Sequence, residues 1–198
     1  MYRLFLRSLA TLFLLVCFVG CQQDNMLSME ALRTAEGEFV HPDIPWLSDV
    51  ETVEQILGEP LGDGHTYGPH VVKGCMITTY EPDEHVHILG EHAMVDYDFF
   101  DGALQVISYQ LKLPEDKDTY INEVLSTLTQ EYGEPVEIIT SGEVEKLGKV
   151  SSTIYRWGDT DQLPYTLLQF TQTNVGSNTS VALSLGYYDW IEPSINQI

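Results

Sequence analysis

The chain has 198 residues, 43% of them hydrophobic and 11% aromatic, which is enough apolar material for one large core or two small ones. Thirty acidic residues against nine basic ones give a net charge of −21, a field that repels nucleic acid and anionic lipid headgroups. That charge is compatible with a cationic partner or divalent cations, and solubility outside the cell accounts for it most simply.

Residues 1–20 hold Arg3 and Arg7 and then an apolar run from Leu9 to Val19, the pattern of a secretory signal peptide. The run is too short and too abruptly ended for a transmembrane helix. It closes on Phe18-Val19-Gly20-Cys21, which resembles the lipobox of bacterial lipoproteins, with Phe18 where leucine is usual. The resemblance implies that Cys21 is the site of lipid attachment and the mature N-terminus. It also implies an extracytoplasmic location, held to a bacterial membrane by acyl chains alone, since two or more chains give a stable anchor. Removal of both arginines leaves seven basic residues and a mature charge of −23. Of the three cysteines, Cys17 and Cys21 belong to this segment, so Cys75 alone remains in the folded part. That excludes an intramolecular disulfide and a cysteine-based zinc site there. Cys75 stands in the apolar run Val71–Ile77 and is expected to be a buried small hydrophobe.

Residues 21–45 read as a lipidated tether and linker. Gln22–Asn25 are polar, Met26–Ala35 could form one short helix, and Gly37–Pro45 is an irregular stretch with two prolines. A first unit is expected over 46–113. Ser48 and Glu51 have the spacing of a capping box, Val50, Val53 and Leu57 form an apolar stripe, and Gly58 and Pro60 stop the helix. Leu61–His70 is glycine-rich without the spacing of a phosphate-binding loop and is expected to be a loop only. Strands are expected at Val71–Tyr80, His85–Leu89, Ala93–Phe100 and Ala103–Leu113, the last two joined by an Asp101-Gly102 hairpin. Val95, Tyr97 and Phe99 alternate with Asp96 and Asp98, so one face is apolar and the other wet.

A second unit is expected over 114–190. Its helix carries Ile121, Val124, Leu125, Leu128 and Tyr132 on one stripe and stops at Gly133-Glu-Pro135. Strands are expected at Val136–Ile139, Ser152–Trp157, Tyr165–Thr171 and Thr179–Tyr188, with a turn through Asn174–Ser177. Residues 191–198 are a tail. The two helices end in one phrase: Val50-Glu-Thr-Val-Glu-Gln-Ile-Leu-Gly-Glu-Pro60 and Leu125-Ser-Thr-Leu-Thr-Gln-Glu-Tyr-Gly-Glu-Pro135. Five of these eleven positions are identical, all at the offset that separates Gly58 from Gly133, which reads as an internal duplication. The expected fold is α+β, two tandem repeats, each a helix packed on one face of an antiparallel sheet.

A helix ending in Gly-Glu-Pro before a sheet with an Asp-Gly hairpin is similar to the small lipoprotein of the outer-membrane β-barrel assembly machinery. Two such units in tandem, over Trp46–Tyr188, resemble the β-lactamase inhibitory protein architecture. The resemblance implies fold and carries no binding residues across, because fold alone does not assign function. That fold is often disulfide-stabilised, which this chain cannot be.

His85, His87 and His92 are the densest group of potential ligands; His85 and His87 share a strand face, and three imidazoles with Glu84 or Glu91 would suit zinc. Ordinary histidines on a polar, solvated hairpin explain them better, because nothing else in the sequence points to a hydrolytic base or to groups that would orient the ligands. Asp96, Asp98 and Asp101 could serve acid–base chemistry, but a wet strand face explains them better. No nucleophile elbow is present, and no catalytic, cofactor or metal residue is assigned. Tyr155, Trp157, Tyr165, Tyr187, Tyr188 and Trp190 would form an adhesive patch wherever they reach the open sheet face. The expectation is a membrane-anchored, non-enzymatic lipoprotein that binds a protein partner through its concave sheet face or loops. The alternatives are a metal-binding protein centred on His85 and His87, and an inhibitor of an extracellular enzyme.

Overall fold

A computed structural model describes residues 26–70, 73–83, 85–141 and 150–190. The expected signal peptide, the lipid-attachment residue Cys21, Glu84 and the tail 191–198 lie outside the described residues.

Among the described residues two helices, α1 (Val50–Leu57) and α2 (Lys117–Tyr132), accompany nine strands. The strands are β1 (His65–Tyr67), β2 (Ile77–Tyr80), β3 (His85–Ile88), β4 (Glu91–Phe100), β5 (Ala103–Leu111), β6 (Glu137–Ser141), β7 (Val150–Trp157), β8 (Tyr165–Val175) and β9 (Asn178–Tyr188). All nine form one antiparallel sheet in the order β1-β2-β4-β5-β9-β8-β7-β6, with β3 paired to β4 off that path. β2 and β3 pair in succession along the same edge of β4. The class is therefore α+β, as the apolar periodicities predict.

The hairpins follow turn chemistry. Asp101 and Gly102 both take positive φ, 49° and 85°, the handedness that matches twisted antiparallel strands. β8 and β9 are joined by Gly176-Ser177 alone, since Val175 still pairs with Asn178, a tighter turn than the expected one. Alternation then sorts the side chains. Tyr97, Ile107, Leu185, Leu168 and Trp157 stand side by side in one row across five strands, and Val95, Tyr109, Leu183, Phe170 and Tyr155 in the next. Both helices cover these rows. Val53 from α1 and Tyr120, Ile121, Val124 and Leu128 from α2 join them in one buried cluster.

Four local expectations change. The N-cap of α1 is Asp49, whose Oδ1 accepts the Thr52 N–H at 2.9 Å, not Ser48. The cause is β5: Leu47 N–H donates to the Leu104 carbonyl and Leu104 N–H to the Ser48 carbonyl, both at 2.9 Å, so the chain is still tied to β5 at Ser48. The glycine-rich loop contains β1, held to β2 by Thr66–Thr78 and Tyr67–Thr79 hydroxyl contacts of 2.9 and 3.0 Å. Of the strand expected over Val71–Tyr80, the described part begins only at Ile77, because Gly74 N–H turns back to the His70 carbonyl. Met26–Ala35 forms one 3-10 turn, Glu30–Leu32, in place of a helix.

The largest change is in the stretch expected as a linker. Leu32, Phe39 and Ile44 are buried to 1% exposure or less and belong to the main core. This strap starts beside β3, where Leu27 N–H donates to the His87 carbonyl at 2.8 Å. It passes the end of α2, where the Tyr132 hydroxyl donates to the Met29 carbonyl and Phe39 meets the Tyr132 ring edge-on at 5.2 Å. Phe39 N–H then donates to Thr166 Oγ1 of β8 at 2.7 Å. His41 closes a turn by accepting the N–H groups of Asp43 and Ile44 on Nδ1, at 3.2 Å each. Prolines and polar residues hid this segment from periodicity, since a strap buries isolated side chains and has no repeat.

Candidate functional site

Among the described residues the opposite face of the sheet carries no helix. Its side chains follow from the same alternation, one residue out of phase with the core. A row through the middle reads Asp96, Ser108, Ser184, Gln169, Arg156 and Glu137 across six strands. The next reads Met94, Gln110, Ala182, Thr171, Ile154 and Ile139. The polar members bond to each other along the face. Ser108 and Ser184 hydroxyls meet at 2.9 Å, Gln110 Nε2 donates to Asp96 Oδ2 at 3.1 Å, and Arg156 pairs with Glu137 at 3.1 Å. The result is a wide mixed surface, one polar row beside a more apolar one, whose polar side chains are partly ordered by their neighbours.

One half of this face is acidic. Asp98 accepts a hydrogen bond from Thr79, and burial pushes its carboxyl above the usual range, with the nearby charges of Asp96 and Glu81 adding to the rise. Asp96 moves in the same direction, first through burial and further through Glu81, while the Gln110 bond opposes it. Asp101 does not join them: it sits in the β4–β5 turn and its carboxylate accepts the Met76 N–H at 2.9 Å. A cleft of about 810 Å³ opens beside Asp96, between Glu81, His85, His92, Met94 and Gln110.

The three histidines lie on the helix-free face of the β3–β4 hairpin, as strand alternation predicts. His87 stands directly opposite His92 with ring centroids 3.7 Å apart, and His85 stands opposite Met94. Among the described residues, no group of three or more His, Cys, Asp or Glu is arranged to hold a metal ion.

The aromatic residues divide. Tyr155 and Trp157 face the core, and Trp157 Nε1 donates to the Gly133 carbonyl at 2.8 Å. Tyr165 and Tyr188 stack at 5.3 Å on the helix-free face, where Trp190 packs on Tyr188, Phe100 and His70. Lys73 covers this group, 4.5 Å from the Trp190 ring and 2.6 Å from Asp189. These rings and the buried Cys75 form satellite clusters at one end of the face, and they are occupied with one another. Tyr187 alone turns to the rim of the sheet, beside Trp46. Ser108, Gln110, Ser184 and Gln169 went unnamed as site residues in the sequence. The signal was present: each alternates with a core residue such as Ile107, Tyr109, Leu183 or Leu185.

Among the described residues no helix is long and apolar enough to cross a membrane. Comparison with protein-family models, with curated proteins and with solved structures finds no match for the chain.

Proposed function

We propose that this protein is a lipid-anchored, extracytoplasmic binding module that holds a protein partner against the helix-free face of its sheet, without catalysis of its own. One observation carries this reading. Both helices and the strap gather on one side of the sheet, and the other side keeps a surface six strands wide. Its polar side chains are already held by neighbours, which lowers the entropy lost when a partner docks.

The two-unit reading belongs to the same proposal. The strand order β1-β2-β4-β5 is followed by β9-β8-β7-β6, so each unit would contribute a helix and a consecutive block of strands. Ser108 of the first block and Ser184 of the second pair where the two blocks meet. A duplicated ancestral unit joined through its last strand accounts for this order, and so does the resemblance to the β-lactamase inhibitory protein. The anchor fits the same picture. Met26 lies on the outer edge of β3, bridged to His87, and Cys21 precedes it closely in the chain. A stretch this short, fully extended, spans at most about 18 Å, so a lipid on Cys21 would hold the β3–β4 hairpin near the bilayer.

The test is crosslinking in cells, followed by recovery of the full chain, its Cys21→Ala variant and its Thr171→Arg variant, which places a cation mid-face. Recovery of one recurrent partner, weakened by Cys21→Ala and lost with Thr171→Arg at unchanged stability, supports the reading. A partner indifferent to Thr171→Arg, or no partner in any form, overturns it. Mass spectrometry of the mature N-terminus tests the anchor separately, and a free residue other than lipidated Cys21 removes it.

A further inference from the structure

A second cavity, of about 390 Å³, lies at the rim of the sheet away from the proposed docking face. The strap and the ends of β8 and β9 build it. Its aromatic walls are Trp46 and Tyr187, and its polar lining includes Glu36, Glu38 and Asp159, whose Oδ1 also accepts the Asp161 N–H at 2.9 Å. Among the described residues no basic side chain lines it; Arg33 and Arg156 line the adjoining cleft. Trp46 and Tyr187 stand with ring centroids 6.4 Å apart and planes tilted by 33°. The indole is fixed, because Trp46 Nε1 donates to the Phe39 carbonyl at 3.1 Å. Among the described residues none of the three carboxylates is ion-paired.

We infer that this cavity is a binding site for an organic cation with an alkylammonium head. Two chemical requirements meet here. The face of an indole or phenol ring attracts a cation within about 6 Å of its centroid, and the attraction grows when water is excluded. Carboxylates at the rim supply a field that a bare apolar pocket lacks and that turns anions away. Tryptophan and tyrosine walls without the carboxylates would suit a neutral sugar or a hydrophobic side chain equally well. Carboxylates without the rings would suit a hard metal ion, which prefers a shell of oxygen ligands to aromatic walls. The combination selects a soft, partly apolar cation: a quaternary ammonium, or the side chain of a lysine in a polypeptide.

The experiment uses the full chain in a non-ionic detergent free of choline, with ¹⁵N-labelled tryptophan at constant ionic strength. Choline and Nα-acetyl-lysine methylamide are titrated separately, with the uncharged choline isostere 3,3-dimethyl-1-butanol as the comparison. A saturable shift of the Trp46 indole N–H, with Trp157 unmoved, is the expected result. Affinity is expected to fall about ten-fold for the isostere and about ten-fold in the Glu38→Gln/Asp159→Asn variant. A response to choline alone assigns a small quaternary ligand, and a response to the lysine derivative assigns a polypeptide. The Tyr187→Leu variant, which leaves every charge in place, is expected to weaken both. No shift with either cation, equal binding of the isostere, or unchanged binding in the charge variant overturns the inference.

Discussion

The two copies of the Gly-Glu-Pro phrase end helices of very different depth. α1 has eight residues and buries Val53 alone, whereas α2 has sixteen and buries Tyr120, Ile121, Val124 and Leu128. The glycines differ too. Gly58 takes φ 77°, ψ 11°, the left-handed conformation common at helix ends. Gly133 takes φ 84°, ψ −172°, which leaves its carbonyl as the acceptor for Trp157 Nε1. The phrase thus specifies a stop. How deeply the helix is held depends on what else reaches it, and α2 is clasped by Trp157 on one side and by the strap at Phe39 and Met29 on the other.

The strongest way to break this contrast is Trp157→Ala. Trp157 is 2% exposed, and truncation of a buried aromatic of this size costs about 3–5 kcal/mol. At the matching position after the first phrase stands Pro82, half-buried and outside the core, where alanine is expected to change stability by about 0.5 kcal/mol or less. Urea unfolding of both variants measures the difference; equal losses would mean that Trp157 does not hold α2 in place. Next comes asparagine at each glycine. Asn tolerates the left-handed conformation, so Gly58→Asn is expected to cost a few tenths of a kcal/mol. The conformation of Gly133 is one that only glycine visits freely, so Gly133→Asn is expected to cost about 1–3 kcal/mol. Thermal melts of the pair separate the two cases.

The strap offers a third way, through pH. Burial holds the His41 imidazole down at about 4 from an ordinary 6.5, with Asp43 pulling the other way. The neutral ring is the form that accepts the Asp43 and Ile44 N–H groups. Because the folded value lies below the unfolded one, this stabilisation is complete above pH 6.5 and is lost as pH falls towards 4. The loss is on the order of 2–3 kcal/mol. His41→Asn supplies a side-chain oxygen for the same turn without titrating in that range. Its stability is expected to be flatter than wild type between pH 6.5 and 4. Parallel curves for the two proteins would dissociate the strap from the acid sensitivity.

Periodicity made the sheet, the two hairpins and the stripe of α2 legible, because Val95, Tyr97 and Phe99, or Ile107, Tyr109 and Leu111, mark a face by themselves. It could not show the strap. Leu32, Phe39 and Ile44 are single anchors among prolines and charges, and their burial is decided by α2 and β8, which come much later in the chain. The histidine face of the β3–β4 hairpin was legible as a shared side, but the spacing of the three rings was not. The rim cavity was illegible for the same reason as the strap: Trp46 and Tyr187 come from opposite ends of the folded chain and meet only in the fold.

The smallest expected effect concerns the two halves of the helix-free face. Outward from the Ser108–Ser184 pair, the first half places Asp96 where the second half places Gln169. In the flanking rows Asp98 pairs with Val106 and Thr171 with Ala182, again an acid against a neutral residue. Burial and the charges of Asp96 and Glu81 raise the Asp98 carboxyl above its unfolded value of 3.8. A raised folded value means that Asp98 favours the folded state below pH 3.8 and that this contribution is lost as pH rises through the folded value. Asp98→Asn keeps an oxygen for the Thr79 hydroxyl and removes the charge. It is expected to stabilise the protein at pH 7 by up to about 1 kcal/mol and to lose that advantage below pH 3.8. Destabilisation at pH 7 would show that the charge-assisted bond from Thr79 outweighs the repulsion. Stabilisation at pH 7 means that the acidic half is held at a cost to folding, and a partner that brings a cation to Asp96 and Asp98 would recover that cost on binding.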